Sequence, residues 1–388
     1  MTKKQDKRNA KGGGSVRQRP DGRWEARCTI NGKSRSFYAE TQKEALKLMR
    51  AAQKDVDDGQ YIKPSKMTVA HWLDIWLEEY HKPSVKPSTY FSTQRRMKNY
   101  IVPALSEVRL QSLTPPQIQK VINSLFYSNR LSASFIKIIY VNFSSALSQA
   151  QKLGYIKNNP AHFCTLPKEP KKEIVPLSEA ETAAFLKEIQ KEDVAFKNLF
   201  LVTLFTGMRM GEICGLPWDA IDFSKNTITV KQQLTDKYAK KICGRGYYIT
   251  TTKNGTVRTI TAAPFVMEAL KETKLQQWLD HIKMGECWKN SDNLVFTHKD
   301  GTPLLPCNVY SHYKNIVTLI GRPDARFHDL RHTYAVNALQ EGDSPKTVQQ
   351  NLGHATATFT LNVYAHVSEK MKQDSAARMQ SFYEKIKA

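Results

Sequence analysis

Eight residues near the end of the chain, HDLRHTYA at 328–335, bring together side chains that can do chemistry. His328 and His332 lie four positions apart, so on a helix they share one face and could hold a metal ion. Arg331 stands between them, in the first turn of the predicted helix, where backbone N–H groups favour an anion. Three interpretations follow: a metal site, a phosphate site, or a helix face that only packs.

A second arginine lies in TGMRMGEICG at 206–215. Gly207 is predicted to break an apolar helix immediately before Arg209. Glu212 follows three positions later, close enough to brace that arginine. The motif by itself is weak because arginines are common on surfaces.

A lysine is predicted at the tip of a hairpin. The segment YYITTTKNGTVRTI at 247–260 reads as two strands around a type I′ turn at Asn254-Gly255. Lys253 stands just before that turn, where it could enter a groove and donate a proton. The same position also suits a lysine that only keeps a turn soluble.

A further histidine and a tyrosine follow HDLRHTYA. Ser344 and Pro345 begin a predicted helix, and Gly353 ends it, which leaves His354 on the exit turn. Tyr364 comes ten residues later, in a short segment of its own.

Taken together, these residue types favour phosphate chemistry. Two arginines can grip the non-bridging oxygens of a phosphate. Histidine and lysine can move protons, and a tyrosine hydroxyl can attack phosphorus. The sequence has no carboxylate cluster for Mg²⁺, and the residue after His328 is not the glutamate of a zinc protease. We therefore predict no metal and no cofactor.

The charge of the chain points to a polyanionic partner. The 388 residues include 58 Lys and Arg against 36 Asp and Glu, a net charge of +22. Basic residues outnumber acidic ones 17 to 8 over residues 1–66, 12 to 5 over 67–170, and 29 to 23 over the remainder. No apolar run is long enough to cross a bilayer, and the six cysteines show no metal-ligand spacing, so we expect a cytoplasmic protein that binds nucleic acid rather than a membrane.

Turn and linker signals divide the chain into four parts. We predict a disordered basic tail (1–14), a small three-stranded β-sheet backed by a helix (15–64), an all-α domain (67–162), and a mixed, mostly α domain with a small antiparallel sheet (174–388). Tight turns flank the strand 23–30, and a capping box at 41–44 opens the helix. A two-residue Asn31-Gly32 turn would put Arg35 on the side of Trp24, although the register stays open.

Two groups of basic side chains are candidates for contacts with DNA. Arg23 and Arg27 are predicted on the outer face of the strand 23–30, and a β-ribbon of this kind fits a major groove. Arg95, Arg96 and Lys98 lie in the helical domain, where they suit phosphate contacts. Ordinary solvated faces would explain both groups as well.

The order of these motifs resembles that of the tyrosine recombinases, the phage integrase family. The resemblance runs through TGMRMGE, the lysine hairpin, HDLRHTYA, LGHA and YAH. It implies that Arg209, Lys253, His328, Arg331 and His354 activate the phosphate and that Tyr364 is the nucleophile. The two N-terminal domains resemble, more loosely, arm-binding and core-binding domains. The stretch 234–247 departs from a minimal hairpin and is either a basic β-element on DNA or a flexible loop.

The resemblance implies a site-specific integrase of a mobile element, working in the bacterial cytoplasm at the nucleoid. Its expected partners are double-stranded DNA with core and arm sites, three further copies in a tetramer, and an excisionase-type directionality factor. Two alternatives remain at this point: a type IB topoisomerase with the same chemistry, or a non-enzymatic relic that only binds DNA.

The last residues predict a helix with an apolar stripe. Met379, Phe382, Tyr383 and Ile386 recur at helical spacing, so this stripe must be buried somewhere. It packs either on its own domain or, as the family resemblance implies, on a neighbouring protomer.

Overall fold

The computed structural model describes residues 14–30, 32–57, 61–169, 175–252, 255–353 and 369–387. It has two compact units, Met1–Pro170 and Lys171–Ala388. The predicted fold class is confirmed: a three-stranded sheet with one helix is followed by a helical block and by a mostly helical unit with small antiparallel sheets. The boundaries predicted inside the first unit remain predictions.

The first unit begins with strands and continues with helices. Its elements are β1 (Ser15–Gln18), β2 (Trp24–Ile30), β3 (Lys33–Ala39), α1 (Gln42–Asp57), α2 (Val69–Ile75), α3 (Pro87–Arg96), α4 (Val102–Leu105), α5 (Pro115–Tyr127) and α6 (Ala133–Lys152). Helix α2 continues as a π-helical segment, Trp76–His81, and another, Met97–Ile101, joins α3 to α4. Short 3₁₀ turns lie at Lys82–Ser84, Leu110–Ser112 and Pro160–Phe163.

The N-terminal sheet has the order β1-β2-β3 and is antiparallel throughout. Ile30 pairs with Lys33, so the β2–β3 connection has two residues, and Cys28 lies opposite Arg35. Directly opposed residues share a face of a sheet, which puts Arg35 on the side of Trp24, as a two-residue turn predicts. That face packs on α1.

The helical block is built around Trp72, whose indole N–H donates to the carbonyl of Ala146 at 2.9 Å. Its sequence signals are local ones. Thr114 and Gln117 form a capping box at the start of α5, with Pro115 in the first turn. Because capping needs only residues within one turn, this helix start was predictable without the rest of the fold.

The second unit alternates helices with short strands. Its helices are α7 (Glu179–Glu188), α8 (Val194–Thr206), α9 (Met210–Cys214), α10 (Ala239–Cys243), α11 (Pro264–Met284), α12 (Pro306–Leu319), α13 (Phe327–Gln340), α14 (Pro345–Leu352) and α15 (Glu369–Lys387). Its strands are β4 (Ile221–Asp222), β5 (Thr227–Val230), β6 (Gln232–Thr235), β7 (Tyr248–Thr251) and β8 (Arg258–Thr261), and 3₁₀ turns lie at Ile189–Lys191, Trp218–Ala220 and Gly285–Cys287.

The predicted hairpin at 247–260 is wrong. Strand β7 pairs with β6 and β8 pairs with β5, so the two strands on either side of residues 252–257 do not pair with each other. Together the four strands form one long, interrupted hairpin whose end is the segment 236–247, with α10 inside it. The Asn-Gly signal correctly marks a turn, since the N–H of Gly255 donates to the carbonyl of Thr252 at 3.0 Å. It misled about pairing because a turn does not by itself decide which strands lie beside it.

Helix α8 runs through the core of the second unit. Leu199, Phe200 and Val202 are fully buried, and they belong to a cluster that includes side chains of α11, α12 and α13. The buried amide of Asn198 donates to the carbonyl of Ala269 at 2.9 Å and thereby ties α8 to α11. A helix that is apolar on all sides is expected at such a central place. Its C-terminal end leads directly into the functional site.

Candidate active site

Three of the six predicted catalytic residues, Arg209, His328 and Arg331, lie in the described part of the chain. Lys253, His354 and Tyr364 lie outside the described residues. The geometry that follows is therefore that of the two arginines, one histidine and the elements that hold them.

Gly207 ends α8 as predicted and turns the chain toward Arg209. Its φ of +64° is in the left-handed region, and its N–H donates to the carbonyl of Thr203 at 2.9 Å. A Cβ at this position would lie 2.5 Å from Leu352 and 2.7 Å from Tyr334. Glycine is thus required for two reasons, backbone conformation and the close approach of α13 and α14.

The predicted contact between Arg209 and Glu212 is confirmed. Oε2 of Glu212 accepts from the Arg209 backbone N–H at 2.9 Å, and Oε1 accepts from Nη1 of Arg209 at 2.7 Å. The carboxylate therefore caps the first turn of α9 and directs the guanidinium at once. The side chain of Arg209 remains partly accessible, as a group that must meet a substrate should be.

Arg331 is held inside the protein. It is 1% exposed, and its Nη1 donates to the carbonyl of Gly207 at 2.7 Å while Nη2 donates to the carbonyl of Leu352. Within the described ranges its Nε has no hydrogen-bond partner, and no carboxylate forms a salt bridge with it. Burial, and next the positive charge of Arg209, lower the pKa of this guanidinium to about 9. Such a cation is best stabilised by an anionic ligand.

Three arginines converge on the last turn of α14. The carbonyl of Asn351 accepts from Nε of Arg258 at 2.7 Å, and that of Gly353 accepts from Nη2 of Arg209 at 3.4 Å. The carbonyl between them, of Leu352, is the one bound by Arg331. The last carbonyls of a helix lack partners within it and carry partial negative charge, so cations stabilise them. This arrangement brings Arg209 and Arg331 to one place.

Arg258 was missed by the sequence reasoning. Its guanidinium donates to both oxygens of Glu212, from Nη1 to Oε1 at 3.0 Å and from Nη2 to Oε2 at 2.6 Å. Burial alone would raise the pKa of Glu212, but its contacts with Arg258 and then Arg209 outweigh burial and hold the pKa at about 2. A single arginine in a short strand carries no signal for such a role, because its partners are 46 and 93 residues away along the chain.

The two histidines of HDLRHTYA lie against each other. The rings of His328 and His332 meet edge to face, 4.9 Å between centroids. Desolvation, followed by the positive charges of His332, Arg331 and Arg209, lowers the pKa of His328 to about 4, although the residue as a whole is exposed. Burial lowers that of His332 too. His328 is therefore neutral near pH 7.

Among the described residues, no group of three or more His, Cys, Asp and Glu could hold a metal ion. In the same part of the chain, no helix is long and apolar enough to cross a membrane.

The candidate DNA-contact residues differ in exposure and in the contacts that they already make within the protein. Arg27 is exposed but donates to Glu25, and Arg23 is exposed and paired with Asp21 at 2.8 Å. In the helical block Arg95 and Lys98 are exposed. Arg96 is instead partly buried and donates from Nε to Oδ1 of Asn142 at 2.9 Å, which links α3 to α6. The contacts of these residues with DNA remain a prediction.

Comparison with known proteins supplies the family. Residues 168–371, more than half of the chain, match the phage integrase family, and residues 68–126 match the N-terminal SAM-like domain of phage integrases. The chain belongs to the phage integrase family. It is thus a tyrosine recombinase of the integrase type, and members of this family break and rejoin DNA.

Individual relatives resemble this recombinase over most of its length. A XerC-like tyrosine recombinase of Caldanaerobacter subterraneus subsp. tengcongensis is 29% identical over 374 residues, 91% of this chain and 93% of the relative. The ICEBs1 integrase of Bacillus subtilis is 22% identical over 88% of this chain and 90% of its own.

Two solved structures share its fold. The Tn1549 transposon integrase in complex with a circular intermediate DNA has a TM-score of 0.67 and 24% identity, over 80% of this chain and 99% of the neighbour. A lambda integrase tetramer bound to a Holliday junction has a TM-score of 0.61 and 17% identity, over 92% and 96%.

Proposed function

We propose that Tyr364 of this recombinase attacks a DNA phosphodiester. The tyrosine oxygen forms a bond to phosphorus, the bond to the 5′-oxygen breaks, and a 3′-phosphotyrosine and a free 5′-hydroxyl result. Because the phosphoryl group stays in an ester of similar energy, a 5′-hydroxyl from another strand can reverse the step and reseal the DNA. The reaction needs no nucleotide, and a chelator should leave its rate unchanged.

The observation that carries the proposal is the convergence of Arg209 and Arg331 on neighbouring carbonyls at the end of α14. Two guanidinium groups at one place can stabilise the charge that develops on the equatorial oxygens of the attacked phosphorus. Arg331 lacks a carboxylate partner within the described ranges, so a phosphate would supply the missing anion. The segment that contains His354 and Tyr364 follows α14 directly.

The remaining roles concern protons. We assign to His328 the acceptance of the proton of Tyr364, which a neutral imidazole can do and an imidazolium cannot. Lys253 protonates the leaving 5′-oxygen, and His354 donates a hydrogen bond to a phosphate oxygen.

We further propose that the chain acts on double-stranded DNA in the bacterial cytoplasm and recombines it as a tetramer. The residues 15–64 read arm sites through Arg23 and Arg27, and the helical block contacts core-site phosphates through Arg95, Arg96 and Lys98. The Tn1549 and lambda integrase complexes named above, with a circular intermediate DNA and with a Holliday junction, support this assignment by their shared fold.

The test is covalent trapping on core-site DNA that is nicked just 3′ of the cleavage site, so that the short fragment carrying the free 5′-hydroxyl is lost after cleavage. The wild-type chain should accumulate a covalent adduct that maps to Tyr364. Tyr364→Phe should form no adduct and bind the DNA as tightly as wild type. An adduct that persists in Tyr364→Phe on another tyrosine would overturn the assignment, and a wild type that binds without any adduct would favour a non-enzymatic relic. Relaxation of supercoiled DNA without exchange between two sites would favour a topoisomerase.

A further inference from the structure

Arg258 connects three parts of the active site through one side chain. It leaves β8, donates two hydrogen bonds to Glu212 in α9 and a third to the carbonyl of Asn351 in α14. The side chain is 9% exposed, and that of Glu212 is completely buried. These contacts use Nε, Nη1 and Nη2, which is the full width of the planar fork.

Glu212 is shared between Arg258 and Arg209. Oε1 accepts from Nη1 of both arginines, and Oε2 accepts from Nη2 of Arg258 and from the backbone N–H of Arg209. The direction of the carboxylate therefore depends on Arg258, and the direction of the Arg209 guanidinium depends on the carboxylate. A buried carboxylate that lost Arg258 would face Arg209 alone and could rotate toward it.

The other contact of Arg258 holds the chain just before His354. Gly353 has φ of +62°, and a Cβ there would lie 2.9 Å from Cδ of Arg258. The backbone and the arginine thus pack closely enough that only glycine fits between them. Arg258 also directly follows the segment 252–257, which contains Lys253, the residue predicted to protonate the leaving oxygen.

From this geometry we infer that Arg258 is a positioning residue for DNA cleavage: it orients Arg209 through Glu212 and fixes the end of α14 that leads to the nucleophile. Its hydrogen bonds are to Glu212 and the Asn351 carbonyl, so we assign it no direct contact with DNA or with the reacting atoms. The inference rests on the proposed function in that Arg209 must bind the scissile phosphate.

Arg258→Met and Arg258→Lys test the role, and Arg322 provides a matched control. Arg322 lies in the same unit, its side chain is 13% exposed, and it donates to Glu181 at 3.0 Å and to Asp324 at 3.2 Å rather than to Glu212. Arg322→Met and Arg322→Lys therefore remove a similar arginine–carboxylate pair without touching Glu212. Each variant is compared by its affinity for intact core-site DNA and by the rate of adduct formation on the nicked substrate.

We expect Arg258→Met to cleave about 10²-fold more slowly, because a misplaced catalytic group costs about this much. Its affinity for DNA should change by less than about threefold, since binding does not require the transition-state geometry. Arg258→Lys keeps the charge but cannot make all three contacts, so it should recover only part of the rate. Cleavage by the Arg322 variants should stay near wild type. Equal losses in the Arg258 and Arg322 variants would overturn the inference.

Two further readouts separate positioning from simple stability. Because Arg258 acts partly through Arg209, combining Arg258→Met with Arg209→Lys should cost clearly less than the product of the two single losses, whereas fully multiplicative losses would contradict the inference. In Arg258→Met the carboxyl group of Glu212 loses its main cation, so cleavage should gain an acid limb as pH falls, and Glu212→Gln with Arg258→Met should lack that limb. A pH profile parallel to that of wild type would also contradict it.

If Arg258→Met does not fold, the same rate, double-variant and pH comparisons are made with Arg258→Lys. Total adduct is measured irrespective of which tyrosine forms it. Failure of the Tyr364 assignment would therefore leave the test of Arg258 intact.

Discussion

At the scale of single residues, the site is a concentration of positive charge with one buried carboxylate to organise it. Glu212 fixes Arg209 and is itself fixed by Arg258, whereas Arg331 has only carbonyl oxygens as described partners. A preformed cationic site of this kind lowers the stability of the protein when no DNA is bound. It favours the charged transition state, because its donors need no rearrangement when charge develops. Two predictions follow from the protonation and shape of these groups.

The first prediction concerns the shape of Arg209. Arg209→Lys keeps the charge but loses the planar fork that contacts both Glu212 and Gly353, so cleavage should fall by about 10²-fold or more. Binding to core-site DNA should barely change. Single-turnover trapping measures the rate and a gel shift the affinity. A loss confined to affinity would show that Arg209 is an ordinary phosphate-binding residue rather than part of the reaction.

The second prediction concerns the protonation of His328. Its lowered pKa means that the unfolded chain binds a proton there at a higher pH than the folded chain does. Stability of the DNA-free protein should therefore fall as pH is lowered from about 6.5 to about 4, and His328→Gln should reduce that slope. The titration of the ring, followed by NMR with His328→Gln as the assignment control, should have its midpoint well below 6. A midpoint at or above the ordinary value would contradict the prediction.

At the scale of elements, helix ends rather than helix faces position the site. The C-terminal end of α8, the first turns of α9 and α13 and the C-terminal end of α14 meet around the arginines. Helix ends present unpaired N–H or carbonyl groups, so they can hold charged side chains that helix faces cannot. Glycines with positive φ at the ends of α8 and α14 allow the chain to leave each helix without obstructing the others.

The third prediction uses this packing. Gly207→Ala should destabilise the second unit by about 2–4 kcal/mol, because the methyl group adds a clash with Leu352 and Tyr334 to the strain of positive φ. Gly321→Ala is the control: this glycine also has positive φ, +79°, but a Cβ there meets nothing within 4 Å, so only about 1–2 kcal/mol should be lost. Denaturant unfolding measures both. Equal losses would mean that the close approach of α14 to Gly207 contributes nothing.

At the scale of the whole chain, the C-terminal helix carries an apolar stripe that is exposed to solvent. The side chains of the predicted stripe in α15 are 57–68% exposed, so they are not packed on the described parts of their own unit. Covering three or four such side chains is worth on the order of 5 kcal/mol before the cost of ordering. The stripe therefore suits a neighbouring protomer, which remains a prediction of the sequence.

The fourth prediction tests that stripe. Phe382→Ser combined with Ile386→Ser should leave folding and binding to a single site intact but weaken the assembly of several protomers on DNA. Gln380→Ser, which changes an exposed polar residue of the same helix, should have no effect. Sedimentation and gel shifts with paired sites measure assembly. Normal assembly by the double variant, or unfolding of the unit, would indicate that the stripe packs on its own domain rather than on a neighbouring protomer.

The sequence by itself determined the family motifs, the fold class and several helix ends. Ser344, Gly207 and Gly353 all act where predicted, because a cap or a left-handed glycine involves only neighbours along the chain. The arginine–glutamate contact in α9 was predictable for the same reason. The chemical types of the site residues could also be read directly, since phosphate chemistry requires particular donors wherever they stand.

Only the tertiary structure decided which distant groups meet. The pairing of β5 with β8 and of β6 with β7 replaced the predicted hairpin, because strand pairing depends on the whole sheet and not on one turn. The role of Arg258 emerged only when β8, α9 and α14 were brought together, since its partners lie far along the chain on either side. Local signals specify how each element begins and ends, and the packing of those elements specifies what their ends can hold.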